Sequence, residues 1–330
     1  MLKDIKYYFL RLLFAEVQKI KRNTIPEKKR ETDYLLGASP IKKEILRPDG
    51  QWTDCVPVGE VQSKGTETMA CTCFSLLNIL ETLAKVKYGE SWNKSDRYSA
   101  KMTGCTRSGN AQSIVLDITR KTAGLIDEEL WPFDDNFTWS DFYADIPLNL
   151  RQLGANWTKE WIIGYEVVPL NNKTAMKEAL KYSPLYVAGY AWAQSNGLYR
   201  SWGRANHSFV LVGYVEGQYW LVYDSYSPFL KKLDWNYLFG AMRVITLDKA
   251  NANPVAELEA KGVRFVMRPE SHGEFYMIDG GSLVYLPDKD SIKRALNAET
   301  DMSLDILELV KNGKLKMLSE NSFNKLKIPK

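Results

Sequence analysis

Gln62-Ser63-Lys64-Gly65-Thr66-Glu67-Thr68-Met69-Ala70-Cys71-Thr72-Cys73-Phe74-Ser75 is a polar, glycine-containing loop that runs directly into an apolar helix. Phe74, Leu77, Leu80 and Leu83 recur at helical spacing and mark the buried stripe of a helix from Cys71 to Lys87. Cys71 falls in its first turn, where unsatisfied backbone amides and the positive end of the helix dipole favour thiolate over thiol. Gln62, earlier in the same loop, can donate its side-chain amide to a developing oxyanion together with the backbone N–H of Cys71. Cys73 lies about 200° further around the helix axis, so the two sulfurs cannot face one cleft. Cys71 is the candidate nucleophile; Cys73 is its rival and otherwise a core residue.

A thiolate nucleophile needs a base, and the chain holds two histidines, His207 and His272. His207 opens an alternating strand, Asn206-His207-Ser208-Phe209-Val210-Leu211-Val212-Gly213-Tyr214, which would hold its ring at the mouth of a sheet. His272 lies in a polar turn, Glu270-Ser271-His272-Gly273, and reads as a solvated turn residue. After a turn at Gly217 comes Tyr219-Trp220-Leu221-Val222-Tyr223-Asp224-Ser225-Tyr226. A strand here would pair with the His207 strand and deliver Asp224 to the same rim, where it can orient the imidazole.

These segments resemble the papain-like (C1) cysteine peptidase family. Cys71-Thr72-Cys73-Phe74-Ser75 is similar to its Cys-Trp-Ala-Phe-Ser, and Gln62 matches its oxyanion-hole glutamine. The His207 strand resembles His-Ala-Val-Leu-Val-Val-Gly-Tyr, and Tyr219 to Tyr226 resembles Tyr-Trp-x-Val-Lys-Asn-Ser-Trp. Glu129-Leu130-Trp131-Pro132-Phe133 looks like the Tyr-Pro-Tyr element, and Ser183-Pro184-Leu185-Tyr186-Val187-Ala188 like the Gly-Pro-Val-Ser-Val segment. Gly104-Cys105-Thr106-Arg107-Ser108-Gly109-Asn110 is similar to the Gly-Cys-Asn-Gly-Gly substrate-binding strand, which makes Gly109 and Asn110 candidate backbone partners for substrate.

Cys71 and His207 are 136 positions apart, inside the roughly 130–150 residues expected between these two roles. The resemblance covers Thr32 to Leu247 and departs from the family at four places. The Gln62 to Cys71 interval is longer than usual, and Thr72 replaces an aromatic, which suggests a more open cleft. Asp224 replaces Asn and would stabilise protonated His207 more strongly through its charge. Tyr226 replaces the Trp that shields the histidine, keeping an aromatic beside the substrate cleft.

The resemblance implies an α+β, two-lobed papain-like fold: a helical lobe over about 32–150, an antiparallel β-barrel-like lobe over about 151–250, and the active-site cleft between them. Within the second lobe, Tyr165–Leu170, Leu185–Tyr190, Ser208–Tyr214, Tyr219–Tyr223 and Arg243–Leu247 read as strands. Residues 251–330 read as a small α+β module, with strands at Val263–Arg268, Glu274–Ile278 and Leu283–Leu286 followed by two helical stretches. Leu2, Ile5, Phe9, Leu12, Leu13, Val17 and Ile20 form the apolar face of a basic amphipathic helix, and Pro26 to Glu31 reads as a linker, so 1–31 stands apart. The rest of the protein or a neighbouring subunit is the first expectation for what covers that face; a membrane surface and an autoinhibitory pro-segment are the alternatives.

With 330 residues, 45% hydrophobic and 25% charged, the chain can bury a large core. A net charge of +4 from 44 basic and 40 acidic side chains is too mild for a nucleic-acid binder. Four cysteines are too few for a disulfide scaffold, so a reducing compartment is expected, cytoplasmic or within a larger particle, and Cys55 and Cys105 read as structural. Arg11 and Glu16 interrupt the N-terminal apolar run, leaving no signal peptide or transmembrane segment recognised. No cofactor is implied, and Cys71, Cys73 and His207 make a weak metal set. The leading expectation is a cysteine endopeptidase acting on a peptide or protein. A papain-like body retained as a binding or assembly module and a thiol acyltransferase on the same triad are the alternatives.

Overall fold

The computed structural model describes residues 24–25, 30, 33–39 and 43–250, and, beyond them, 258, 262–268, 274–280, 282–286, 291–292, 295, 310–312 and 315–317. The amphipathic helix expected over 1–22, His272 and most of the two helical stretches expected after Leu286 lie outside the described residues.

The apolar stretch after the opening loop forms α1, Cys71–Leu83, extended by a wider helical turn over Ala84–Tyr88. Burial extends beyond the expected stripe: Phe74, Leu76, Leu77, Ile79, Leu80 and Leu83 are all at most 2% exposed. At roughly 2 kcal/mol per buried aliphatic or aromatic side chain, α1 contributes on the order of 10 kcal/mol of gross hydrophobic stabilisation. Against it pack α2 (Asp96–Met102) and α3 (Gln112–Ile118); α4 (Trp139–Phe142) follows in the chain, and α5 (Leu148–Glu160) packs on the turn at Thr119–Ala123 and on the strand that starts at Trp161. Ser95 caps α2 by accepting from the Tyr98 N–H, and Thr138 with Asp141 forms a capping box on α4.

The expectation of a mainly helical run from Thr32 needs correction, because the described residues between 33 and 70 contain no helix. Pro48, Pro57 and the positive-φ glycines Gly37, Gly50 and Gly65 interrupt the stretch. Conversely, a helix missed in the second half, α6 (Lys173–Leu180), starts where the Asn172 side chain accepts from the Ala175 N–H at 3.0 Å.

Eight strands form one sheet: β1 (Trp161–Val167), β2 (Leu185–Gly189), β3 (Ala193–Ser195), β4 (Leu198–Arg200), β5 (His207–Val215), β6 (Tyr219–Tyr223), β7 (Leu230–Asp234) and β8 (Ala241–Lys249). Their order is β1-β8-β2-β5-β6-β7-β4-β3, antiparallel except between β4 and β7. Strand β5 is buried from His207 to Gly213 because α1 covers one of its faces. The β5–β6 register shifts between Leu211 and Gly213, and Gly213 approaches the Gln51 side chain so closely that a Cβ would meet its Oε1 at 2.3 Å.

In the tail, β9 (Phe265–Arg268), β10 (Glu274–Asp279) and β11 (Ser282–Leu286) form an antiparallel sheet. A short β12 (Leu315–Met317), absent from the sequence reading, adds in parallel to β9. Asp279 binds Arg120 Nη2 at 2.6 Å and joins this module to the helical lobe.

Candidate active site

The loop preceding α1 carries a conformational cost at Met69, whose φ of 59° is in the left-handed region that a side chain disfavours. Its N–H donates to Glu67 Oε1 at 3.3 Å. From there the chain enters α1 with Cys71 as first residue, its sulfur on the sheet side and wholly buried. The Ser75 hydroxyl donates to the Cys71 carbonyl at 2.7 Å and lies 2.7 Å from the Ser208 hydroxyl on β5. Gln112 Nε2 donates to the same Ser208 hydroxyl at 2.7 Å, and its Oε1 accepts from Arg243 at 3.1 Å. These bonds fix the helix of the candidate nucleophile against the strand that begins with His207.

Because β5 and β6 run antiparallel, the start of one and the end of the other meet at one edge of the sheet. His207 Nε2 therefore lies 2.6 Å from Asp224 Oδ1, with both side chains fully buried. The Ser225 N–H donates to the same oxygen at 2.9 Å. Burial alone would lower the imidazole pKa; the Asp224 carboxylate outweighs it, and the adjoining Cys71 thiol adds to the rise, to about 9. Asp224 is pushed up by burial but pulled below its ordinary value by His207 and then by Lys231, whose Nζ is 2.8 Å from Oδ2.

An imidazole raised from about 6.5 to about 9 contributes stability that is complete below 6.5 and lost as pH rises through 9. For the peptidase activity expected from the sequence, the alkaline limb of kcat/KM should fall near pH 9, and Asp224→Asn should move it to lower pH. Lys231→Met should cut kcat/KM roughly 10-fold or more by leaving the buried carboxylate without its lysine partner. Adding Asp224→Asn to Lys231→Met should restore most of that loss, because the neutral amide needs no cation. Steady-state pH profiles of the three variants check this, and an unchanged limb in Asp224→Asn would contradict it.

Lys231 was not visible in the sequence reading. It occupies an inward position of β7, where Leu230 and Lys232 are exposed while Lys231 and Leu233 are buried. A lysine in the buried phase of an alternating strand is the signal that calls for an acid partner. Its Nζ also donates to the Tyr226 and Pro228 carbonyls. Trp192, also missed, stands edge-on to His207 at 5.6 Å between ring centroids, and Tyr226 packs on the imidazole at 5.7 Å. The Tyr226 hydroxyl donates to Glu67, so this ring covers the imidazole.

Gln62 is fully buried and bonds the neighbour of Asp224: its Oε1 accepts from the Ser225 hydroxyl at 2.7 Å and its Nε2 donates to Glu67 at 2.8 Å. One amide hydrogen is thereby committed to Glu67, a residue the sequence reading had not singled out. Thr72, expected to open the cleft, is wholly buried, and its carbonyl accepts from the Tyr186 hydroxyl at 2.7 Å. Cys73 turns its sulfur to Thr103 and Cys105, on the side of α1 away from His207.

Gly109 closes a tight turn with Thr106 at φ 75°, and Asn110 follows with its carbonyl free to meet an extended chain. Thr24 and Ile25 of the protein itself, just before the linker expected from Pro26, take that place. Thr24 bridges Asn110 in parallel, the Ile25 N–H donates to the Asn110 carbonyl at 3.2 Å, and the Thr24 N–H donates to the Asn206 carbonyl at 3.1 Å. The Thr24 hydroxyl lies 3.4 Å from Cys71 Sγ. Thr24 and Ile25 also line a cleft of about 430 Å³ with Gln112, Ala188, Tyr190 and Ala241. Arg30 pairs with Asp117 at 2.7 Å.

No family model matches the chain. Among curated proteins it is 23% identical over 221 residues to a probable cysteine protease, RDL3, of Arabidopsis thaliana, covering 61% of this chain and 55% of the relative. It is 27% identical over 229 residues to a second Arabidopsis thaliana protein, the probable cysteine protease RD21C, covering 63% and 46%. With the oryzain beta chain of Oryza sativa subsp. japonica it shares 24% over 201 residues, covering 56% and 40%. The chain thus spans about half the length of the curated relatives it matches. Similar solved structures include digestive procathepsin L 3 of the Tenebrio molitor larval midgut (TM-score 0.49, 15% identity, covering 70% of this chain and 78% of that one) and the bromelain protease of Ananas comosus with the E64 inhibitor (TM-score 0.44, 18% identity, covering 60% and 98%).

Proposed function

Because this chain is a divergent relative of the papain-like cysteine proteases, we propose that it is a cysteine peptidase that hydrolyses peptide bonds through a thioester on Cys71. The observation that carries this reading is the run from the Cys71 thiol to the His207 imidazole and on to Asp224, 2.6 Å from the ring, at one edge of the sheet. Cys71 attacks the substrate carbonyl as a thiolate, with His207 holding the proton it has taken. The protonated ring is stabilised by Asp224 and donates that proton to the leaving amine. Water, deprotonated by the same imidazole, then releases the acyl group. The Cys71 backbone N–H and the second amide hydrogen of Gln62 are the groups assigned to the oxyanion. Peptide substrate is assigned to the backbone of Asn110 and Asn206, the groups that Thr24 and Ile25 engage.

Cleavage profiling of a peptide library by mass spectrometry tests this reading, with a thiol-reactive epoxide as active-site probe. Cleavage at defined sites is expected, abolished by labelling that maps to Cys71. No cleavage and no selective labelling at Cys71 would point to a retained scaffold. Amine incorporation exceeding hydrolysis would point to acyl transfer.

A further inference from the structure

The second cysteine of α1 has a partner that the proposed chemistry does not use. Cys73 Sγ lies 3.6 Å from Cys105 Sγ, across 32 positions of sequence. Cys73 is wholly buried and Cys105 is 7% exposed. The Thr103 hydroxyl sits beside both, 3.4 Å from the first sulfur and 3.9 Å from the second, while donating to the Ser99 carbonyl at 2.7 Å. Both cysteines are free thiols in this structure. A covalent S–S bond is about 2.05 Å long, so a side-chain adjustment on the order of 1.5 Å would join them.

What they would join matters. Cys73 is two residues from the candidate nucleophile on a helix buried on all sides. Cys105 begins the loop that makes the Thr106–Gly109 turn and presents Asn110, whose carbonyl takes the N–H of the chain in the cleft. Asn110 Nδ2 also donates back to the Thr103 carbonyl at 2.7 Å. We propose that Cys73 and Cys105 form a reversible disulfide that pins the substrate-binding loop to the nucleophile's helix. This holds whether or not the chain is a peptidase.

The two thiols are unequal. Hydrogen bonding from Cys73, then from Thr103 and neighbouring polar groups, holds the Cys105 thiol below its ordinary pKa against the effect of burial. Burial pushes the Cys73 thiol well up. Cys105 is thus both the more exposed residue and the better source of thiolate. Its thiolate attacks one sulfur of a low-molecular-weight disulfide such as oxidised glutathione, forming a mixed disulfide and expelling one glutathione thiolate. Cys73 then attacks the Cys105 sulfur and expels the second. Two electrons pass from the protein to the oxidant, and both thiol protons end on the two released glutathiones.

The experiment uses the full chain carrying Cys71→Ala, so that the candidate nucleophile cannot form mixed disulfides of its own. The protein is equilibrated in glutathione buffers from reducing to oxidising, quenched with acid, capped with N-ethylmaleimide and digested without reduction. Mass spectrometry should find one cross-linked pair joining the Cys73 and Cys105 peptides, two hydrogens lighter than their sum, with Cys55 capped. Closing a loop of this size should raise Tm by roughly 5–10 °C in the oxidised form, and that rise should vanish when Cys105→Ser is added. Capped or singly glutathionylated Cys73 and Cys105 in the most oxidising buffer, a link to Cys55, or a linked form melting no higher than the reduced one would overturn the proposal.

Discussion

Cys71→Ala is expected to lower kcat for peptide hydrolysis by a factor on the order of 10⁴ or more, with little change in Tm. The size follows from what is removed: without the sulfur no thioester forms, and only substrate positioning and the oxyanion groups remain. The small structural cost follows from the same side chain's surroundings. Its sulfur meets a threonine hydroxyl and the imidazole, while α1 is held by its apolar side chains and by backbone bonds that alanine leaves in place. Losing one buried sulfur costs roughly 1 kcal/mol or a little more. Single-turnover assays with a cleaved library peptide, alongside thermal melts, check both halves. A variant retaining more than about a hundredth of wild-type kcat would remove Cys71 from the chemistry.

The second large effect concerns the chain lying in the cleft. Deleting residues 1–29 should raise kcat/KM for peptide substrates at least roughly 10-fold, because Thr24 and Ile25 occupy the Asn110 and Asn206 backbone groups assigned to substrate. Arg30 is kept because it holds Asp117 at 2.7 Å and Asp33 at 3.3 Å, outside the cleft. A synthetic peptide of residues 18–30 should inhibit the shortened protein competitively, raising apparent KM without lowering kcat. Equal kcat/KM for the full and shortened proteins, with no inhibition by the peptide, would show that the segment packs beside the cleft without excluding substrate.

The parts of the site legible in the sequence were those carried by strong local pattern. His207 could be picked because it opens an alternating strand, and Asp224 because an antiparallel partner must end where that strand begins; the structure brings the two within 2.6 Å. Lys231 was hidden because Leu230-Lys231-Lys232-Leu233 fits either phase of a strand, and the phase that buries a lysine is chosen by the Asp224 charge, which only the fold supplies. The cleft role of Thr24 was hidden for a related reason: it arises from backbone pairing with residues more than 80 positions away, which leaves no trace in side-chain periodicity. Short strands such as β3 and β4, three residues each, carry too few alternations to register. The helical lobe expected from about residue 32 does not extend over the stretch before Cys71, where prolines and positive-φ glycines interrupt the chain.

The Ser75–Ser208 hydroxyl pair has a consequence for how this molecule could be divided. Neither half owns the candidate couple: one contributes a sulfur, the other a ring, and a buried pair of hydroxyls rivets the seam between them. A fragment ending anywhere before residue 207 would carry the thiol with nothing to receive its proton. The peptidase activity proposed for this chain would therefore belong to the closed assembly of helix and sheet, and should be lost when the two are parted.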